Sequence, residues 1–219
     1  NEERDAGRPV RTRPAHALQT TLGGVFGLNY GWEHVQWFAD HPGAKDTNGF
    51  TRQNWFEPVG RECRMLRNTA GIIDISNFAK YRVCGGQAEA WLNAVFANKM
   101  PKAVGRSCLT PLIGVRGGIA GDFTVTRLAE DEFMIIGSGM AERYHQRFWK
   151  MVPMPAGVSF ESLTEALCGF NVAGPKSRQL LQRLTNTSLA TEDFPFMRSK
   201  PIELAGVDCI ALRVSFTGD

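Results

Sequence analysis

Asp122 is the side chain whose setting most invites chemistry. It lies in the run Gly117-Gly118-Ile119-Ala120-Gly121-Asp122-Phe123-Thr124-Val125, where glycines mark a turn and one carboxylate enters an otherwise apolar strand. A carboxylate in such a place has to be paired, hydrogen-bonded or functional. Gly117, Gly118 and Gly121 lack side chains, so backbone or ligand can come close. The residues alone leave two readings open: a structural Asp122 bonded to the amides of its own turn, and a functional one.

The other candidates are weaker. Gly137-Ser138-Gly139-Met140-Ala141-Glu142 sits between a strand and a helix, but Glu142 takes the place of the third glycine of a dinucleotide fingerprint. There it would crowd the helix against the strand and put negative charge beside a pyrophosphate, so a plain strand-to-helix turn is expected. His16, His34, His41 and His145 have no GxSxG elbow to serve, which argues against a triad hydrolase. The 5 cysteines are scattered without a CxxC pair, so no metal site is expected and buried free thiols are. Trp32, Trp37, Trp55 and Phe56 read as packed aromatics in preference to a stacking platform.

The elements that must position Asp122 are legible from their periods. Pro58 opens a helix over 58–68, with Val59, Cys63 and Leu66 on one stripe and Gly71 beyond its end. Strands follow at 72–75 and 81–84. Ala88, Trp91, Leu92, Val95 and Phe96 then recur at helical spacing. The hairpin carrying Asp122 is expected from strands 108–115 and 119–128, turned at Gly117-Gly118, with a further strand at 133–136 and a helix over 141–151. A strand at 170–173, a helix over 176–184 with Leu180, Leu181 and Leu184 facing inward, and a hairpin of 201–204 with 207–216 complete the pattern. No parallel βαβ repeat emerges, so the class is α+β. Residues 1–50 are irregular by pattern.

Composition narrows the partners. A net charge of +3 is spread over 25 Lys+Arg and 22 Asp+Glu in mixed order, without the concentrated basic face of a nucleic-acid binder. Arg4, Arg8, Arg11 and Arg13 make the start the only basic stretch, and it reads as a solvated arm. No apolar run reaches the roughly 18 residues of a membrane span. No nucleic acid and no membrane are expected as partners, and a cytoplasmic or mitochondrial-matrix location is.

Several stretches occur in an order similar to the dimethylglycine and sarcosine dehydrogenase family. They include GRPVRTRPAHALQTTLGGVFGLNYGWEHVQWFA, NWFEPVGRECRML, GIIDISNFAKY, FANKMPKAVGR, GGIAGDFTVTRLAEDEF, NVAGPKSRQLL and ALRVSFTGD. In that family a flavin oxidoreductase half precedes one that resembles the T-protein of the glycine cleavage system. By this resemblance residues 1–47 are a connecting segment after the flavin half, and 48–219 are the first part of the aminomethyltransferase-like half. The resemblance implies a three-lobed α+β ring that binds tetrahydrofolate centrally, here incomplete because the chain stops before the last lobe. FAD would belong only to the half that precedes.

The resemblance also implies roles. Asp122 matches the acidic residue near the reacting nitrogens of folate, which makes it the catalytic candidate. Phe78 falls where an apolar or aromatic side chain lies by the pterin, and Gly118 belongs to the Gly-Gly turn. Arg213 lies in a strand that shapes the pocket wall. The sequence departs from relatives in having Leu109 where many carry Tyr, and Phe216 and Asp219 where the motif has Tyr and Glu. A small-molecule N-methyl amine and folate are the implied partners, with passage of a one-carbon unit to tetrahydrofolate as the implied activity. With no glycine-rich strand-turn-helix to hold a pyrophosphate, the 219-residue chain should purify colourless. Stoichiometric flavin released on denaturation would contradict this.

Overall fold

The computed structural model describes residues 4–47 and 49–215. Along the chain run α1 (His16–Thr21), β1 (Gly24–Asn29), β2 (Trp32–Phe38), α2 (Phe56–Asn68), β3 (Gly71–Asp74), β4 (Ala79–Cys84) and α3 (Ala88–Val95). There follow β5 (Ser107–Ile113), β6 (Ile119–Ala129), β7 (Glu132–Gly137), α4 (Glu142–Trp149) and β8 (Ser159–Ser162). Last come β9 (Phe170–Ala173), α5 (Ser177–Gln182), β10 (Arg198–Leu204) and β11 (Val207–Arg213). The chain divides into two compact units. One comprises the residues up to Asn77 together with Cys168–Ser177, the other Phe78–Leu167 and the residues from Arg178 onward.

The first unit holds two antiparallel pairs, β1 with β2 and β3 with β9. Residues 4–47 lie within it, and where pattern gave an irregular segment the structure has a helix and a hairpin. Their turn is Tyr30-Gly31, both at positive φ (53° and 84°), a conformation that a tyrosine does not advertise in sequence. Of the arginines expected in a solvated arm, Arg4 is exposed and the other three are docked. Arg8 donates to the Glu33 carboxylate at 2.6 Å, Arg11 stacks 3.9 Å from the Trp32 ring centroid, and Arg13 lies buried beside Asp74 at 3.3 Å. Each guanidinium finds a carboxylate or a ring in the same unit, which offsets its desolvation. Trp37 is buried with its indole N–H donated to Asp46 Oδ1 at 2.6 Å, whereas Trp55 and Phe56 are exposed.

The second unit is organised by a five-stranded antiparallel sheet in the order β5-β6-β7-β4-β8. Its inner face follows strand alternation: Tyr81 and Val83 on β4, Phe123 and Val125 on β6, Phe133 and Ile135 on β7 are all buried. Helix α3 lays Ala88, Trp91, Leu92 and Val95 into this core, as its spacing predicts, and α4 adds Trp149. The Phe123 ring lies over two glycine backbones. A Cβ on Gly137 would stand 2.5 Å from that ring, and one on Gly121 would stand 2.9 Å from it. Gly139–Ala141 forms a short turn into α4, in keeping with a plain connection there.

Three further expectations fail. Leu180 and Leu184 are exposed, because α5 is only 6 residues long and buries none of them. The cysteines are free as expected, but none is buried: Cys63 and Cys168 are exposed and the others half-buried. Strand β5 ends at Ile113, not 115, and β11 at Arg213, with Phe216 and Asp219 outside the described residues. Gly137→Ala should therefore lower stability by about 1–3 kcal/mol through overpacking against Phe123. Leu180→Ser should stay within about 0.5 kcal/mol of the parent. Urea unfolding of the two variants checks both.

Candidate functional site

The outer face of the same sheet carries the candidate site. Leu109 pairs with Thr124, so it lies diagonally from Asp122, about 7 to 8 Å away. Ala79, Gly137 and Phe123 form one row across β4, β7 and β6. Phe78 lies just before β4 and Asp122 on β6, each one residue before that row; β4 and β6 run parallel, so strand alternation continued one residue back from β4 puts the two on the same side, about 10 Å apart. Asp122 is exposed, and Phe78 and Leu109 are both 42% exposed. Toward the other end the face closes over: Thr126 and Ser107 are buried and share a hydrogen bond at 2.8 Å.

Paired through its backbone in the β5–β6 ladder, Asp122 has a carboxylate that no hydrogen bond or ion pair joins to another described residue, so that side chain is not tied to the amides of its turn. The turn closes through its own backbone: Gly114 N–H donates to the Gly118 carbonyl and Gly117 N–H to the Gly114 carbonyl, both at 2.8 Å. Space is open where a Gly118 side chain would be. Two expected site residues are not gathered here. Arg213 pairs with Arg198, which bridges to Arg106 beside Arg127. That end of β6 lies about 17 Å along the strand from Asp122, and the Arg213 guanidinium is bonded to the Phe194 carbonyl at 2.7 Å. Asp219 lies outside the described residues.

Two residues that sequence reasoning passed over belong to the surroundings. Lys80 shares the outer face, in the row Lys80, Ile136, Thr124, Leu109. It is buried, and its Nζ donates to the Phe78 carbonyl at 2.9 Å, which holds the segment carrying Phe78. Its signal was a lysine at an alternating position of the strand that begins Ala79-Lys80-Tyr81. His145 lies on the inner face behind Asp122, 1% exposed, with neither ring nitrogen partnered among the described residues. Burial pushes its pKa below the ordinary imidazole value, opposed by the negative charges of Asp122 and Glu142. Burial, with the charge of Glu142, raises the pKa of the Tyr81 phenol, so that hydroxyl stays protonated at neutral pH. Among the described residues no three His, Cys, Asp or Glu side chains gather around a metal position, and no helix is long and apolar enough to cross a membrane.

One face of this sheet is packed by helices and the other presents the Asp122 carboxylate between exposed apolar residues, in an α+β domain. The solved glycine cleavage system aminomethyltransferase T from Bartonella henselae superposes with a TM-score of 0.70 at 21% identity, over 87% of this chain and 47% of that one. The family model of the GCVT N-terminal domain matches residues 15–219, and the chain belongs to that family. It is similar to mitochondrial dimethylglycine dehydrogenase of Mus musculus, 34% identical over 225 residues that include all of this chain and 25% of that protein. It is also similar to 4-methylaminobutanoate oxidase (formaldehyde-forming) of Paenarthrobacter nicotinovorans, 30% identical over all of this chain and 27% of that one. The chain thus spans about a quarter of the length of these relatives.

The depressed His145 fixes a sign for pH dependence. Because its folded pKa lies below the unfolded one, the unfolded chain binds more protons as the pH falls through the imidazole range. Stability should drop from about pH 6.5 downward. His34 in the first unit, lowered by burial and by Arg13, adds a contribution of the same sign. His145→Phe should flatten part of the fall in Tm between about pH 7 and 5, measured by thermal melts across that range.

Proposed function

We propose that the open end of this sheet is the folate-binding and one-carbon transfer surface of a dimethylglycine dehydrogenase-like enzyme, with Asp122 as its catalytic residue. The observation that carries the reading is the exposed Asp122 carboxylate without a partner among the described residues, on a face it shares with Phe78 and Leu109. Membership of the GCVT family and the names of the relatives support it. In the whole polypeptide an N-methyl amine would be oxidised on flavin in a half outside these residues. The same reading puts the protein in the mitochondrial matrix or the cytoplasm.

Tetrahydrofolate bound there would supply the nitrogen nucleophile that accepts the one-carbon unit. The residues of this chain supply the setting. Phe78 presents a ring to a planar heterocycle, Leu109 makes an apolar wall, and the turn at Gly118 leaves room for close approach. As a carbon–nitrogen bond forms, positive charge develops at nitrogen and a proton must leave. Asp122 stabilises that charge and can take the proton. Arg213, held by Phe194, has no part in this reading.

In the full-length polypeptide, Asp122→Asn should cut transfer to tetrahydrofolate about a hundredfold or more, the scale of losing one electrostatic contact to a transition state. Amine oxidation and Tm should hardly change, since Asp122 is exposed and bonds to nothing described. Free formaldehyde should accumulate despite saturating folate. If the variant makes the one-carbon folate product at the parent rate, Asp122 is not the transfer residue.

A further inference from the structure

We propose that His145 is a positioning residue for Asp122: an imidazole seated behind it under Gly121 that, while neutral, leaves the carboxylate's charge unopposed, and that would cancel that charge once protonated. The inference rests on the reading of Asp122 given above.

The geometry begins with Gly121. A Cβ at this position would stand 2.8 Å from His145 Nε2, so the missing side chain is what admits the imidazole to the back of the strand. Next to it the β5–β6 register slips, with Leu112 opposite Gly121 and Ile113 opposite Ile119, which leaves Ala120 as a bulge. Bulges of this kind turn the following side chain to a new direction. The ring is held from its other sides by Phe123, with centroids 4.5 Å apart, and by Trp149 at 6.0 Å. One backbone layer therefore separates an exposed carboxylate from a fully buried base.

An apolar side chain would fill that space without stranding two ring nitrogens, so packing alone does not account for a histidine there. The titratable groups near the imidazole are few. Asp122 lies across the β6 backbone from it. Glu142 and Tyr144 lie on its own helix, with Glu142 Oε1 already accepting from Ser162 and Thr164 hydroxyls at 2.8 Å. Tyr81 on β4 reaches only the Glu142 carbonyl. Of these, Asp122 is the one whose charge is not engaged by a described hydrogen bond or ion pair and that sits on the proposed binding face. The two are linked in both directions: a cationic centre held by Asp122 disfavours imidazolium, and imidazolium weakens the hold of Asp122 on a cation.

The test reads the coupling directly. Imidazole titration of His145 by NMR should give a midpoint lower in Asp122→Asn than in the parent by roughly half a pH unit, because the charge that supports imidazolium is gone. Equal midpoints overturn the proposal, and this arm does not depend on any variant of His145 folding. In the full-length polypeptide, the part of the acid limb of the transfer rate that falls in the imidazole range should be lost in His145→Phe, which keeps the ring contacts but cannot take a proton. Retention of the parental acid limb in His145→Phe, with Asp122→Asn still defective, overturns this inference and leaves the function of Asp122 standing. Unimpaired transfer in Asp122→Asn overturns both.

Discussion

The Phe123 ring laid across the backbones of Gly121 and Gly137 is the contact on which the second unit turns. With Cβ positions on those glycines 2.9 and 2.5 Å from the ring, a side chain at either site would force the ring or a strand to shift, and the aromatic locks β6 to β7 in one register. Strand side chains alternate, so a slip of one residue would carry Asp122 into the core and Phe123 out to solvent. The burial of roughly one aromatic side chain, worth about 1.5–3 kcal/mol, thereby decides that the carboxylate is presented outward. The same ring meets Phe96, His145 and Trp149, so the register of β6 and the packing of both helices are set together.

What the sequence made legible follows from how local the determinant was. The α3 stripe was readable because four apolar residues at helical spacing bury themselves whatever the partner, and Ala88, Trp91, Leu92 and Val95 do so. The β1–β2 hairpin was not, since its turn rests on Tyr30 in the left-handed region in place of an Asn-Gly pair. Edge strand β8, only 4 residues long, has too little pattern to declare itself. The leucines of α5 show the opposite failure, in which helical spacing was present but the helix ended before its face found a cover. Arginines near the start gave no sign of docking because their partners, Glu33 and Asp74, are distant in sequence.

The site was legible in the same uneven way. Asp122 stood out by type, as a carboxylate in an apolar strand, and its neighbours Phe78 and Leu109 came from family likeness. Their shared face emerges only from pairing across β4, β7, β6 and β5. Lys80 and His145 escaped notice because each is defined by a contact with another element: Lys80 through the row it shares with Leu109, His145 through the gap under Gly121. Arg213, by contrast, matched a motif in sequence yet sits at the other end of β6, bonded elsewhere.

An exposed carboxylate ringed by apolar residues discriminates by charge. Left in water, Asp122 keeps its hydration, and attraction to any cation is weak. In the proposed function, a planar ligand lying over Phe78 and Leu109 would strip that hydration and lower the local dielectric, so the carboxylate would lose solvation at the moment its field grew stronger. A neutral ligand would bear that loss without return. One that develops positive charge opposite Asp122 regains it, and regains most where the charge is greatest, along the reaction coordinate and not in the ground state. The backing of the strand then matters as much as its face, because a cation buried behind Gly121 would compensate the carboxylate before any ligand arrived. On the proposed reading, a dry and neutral imidazole there would preserve the imbalance of charge that such chemistry needs.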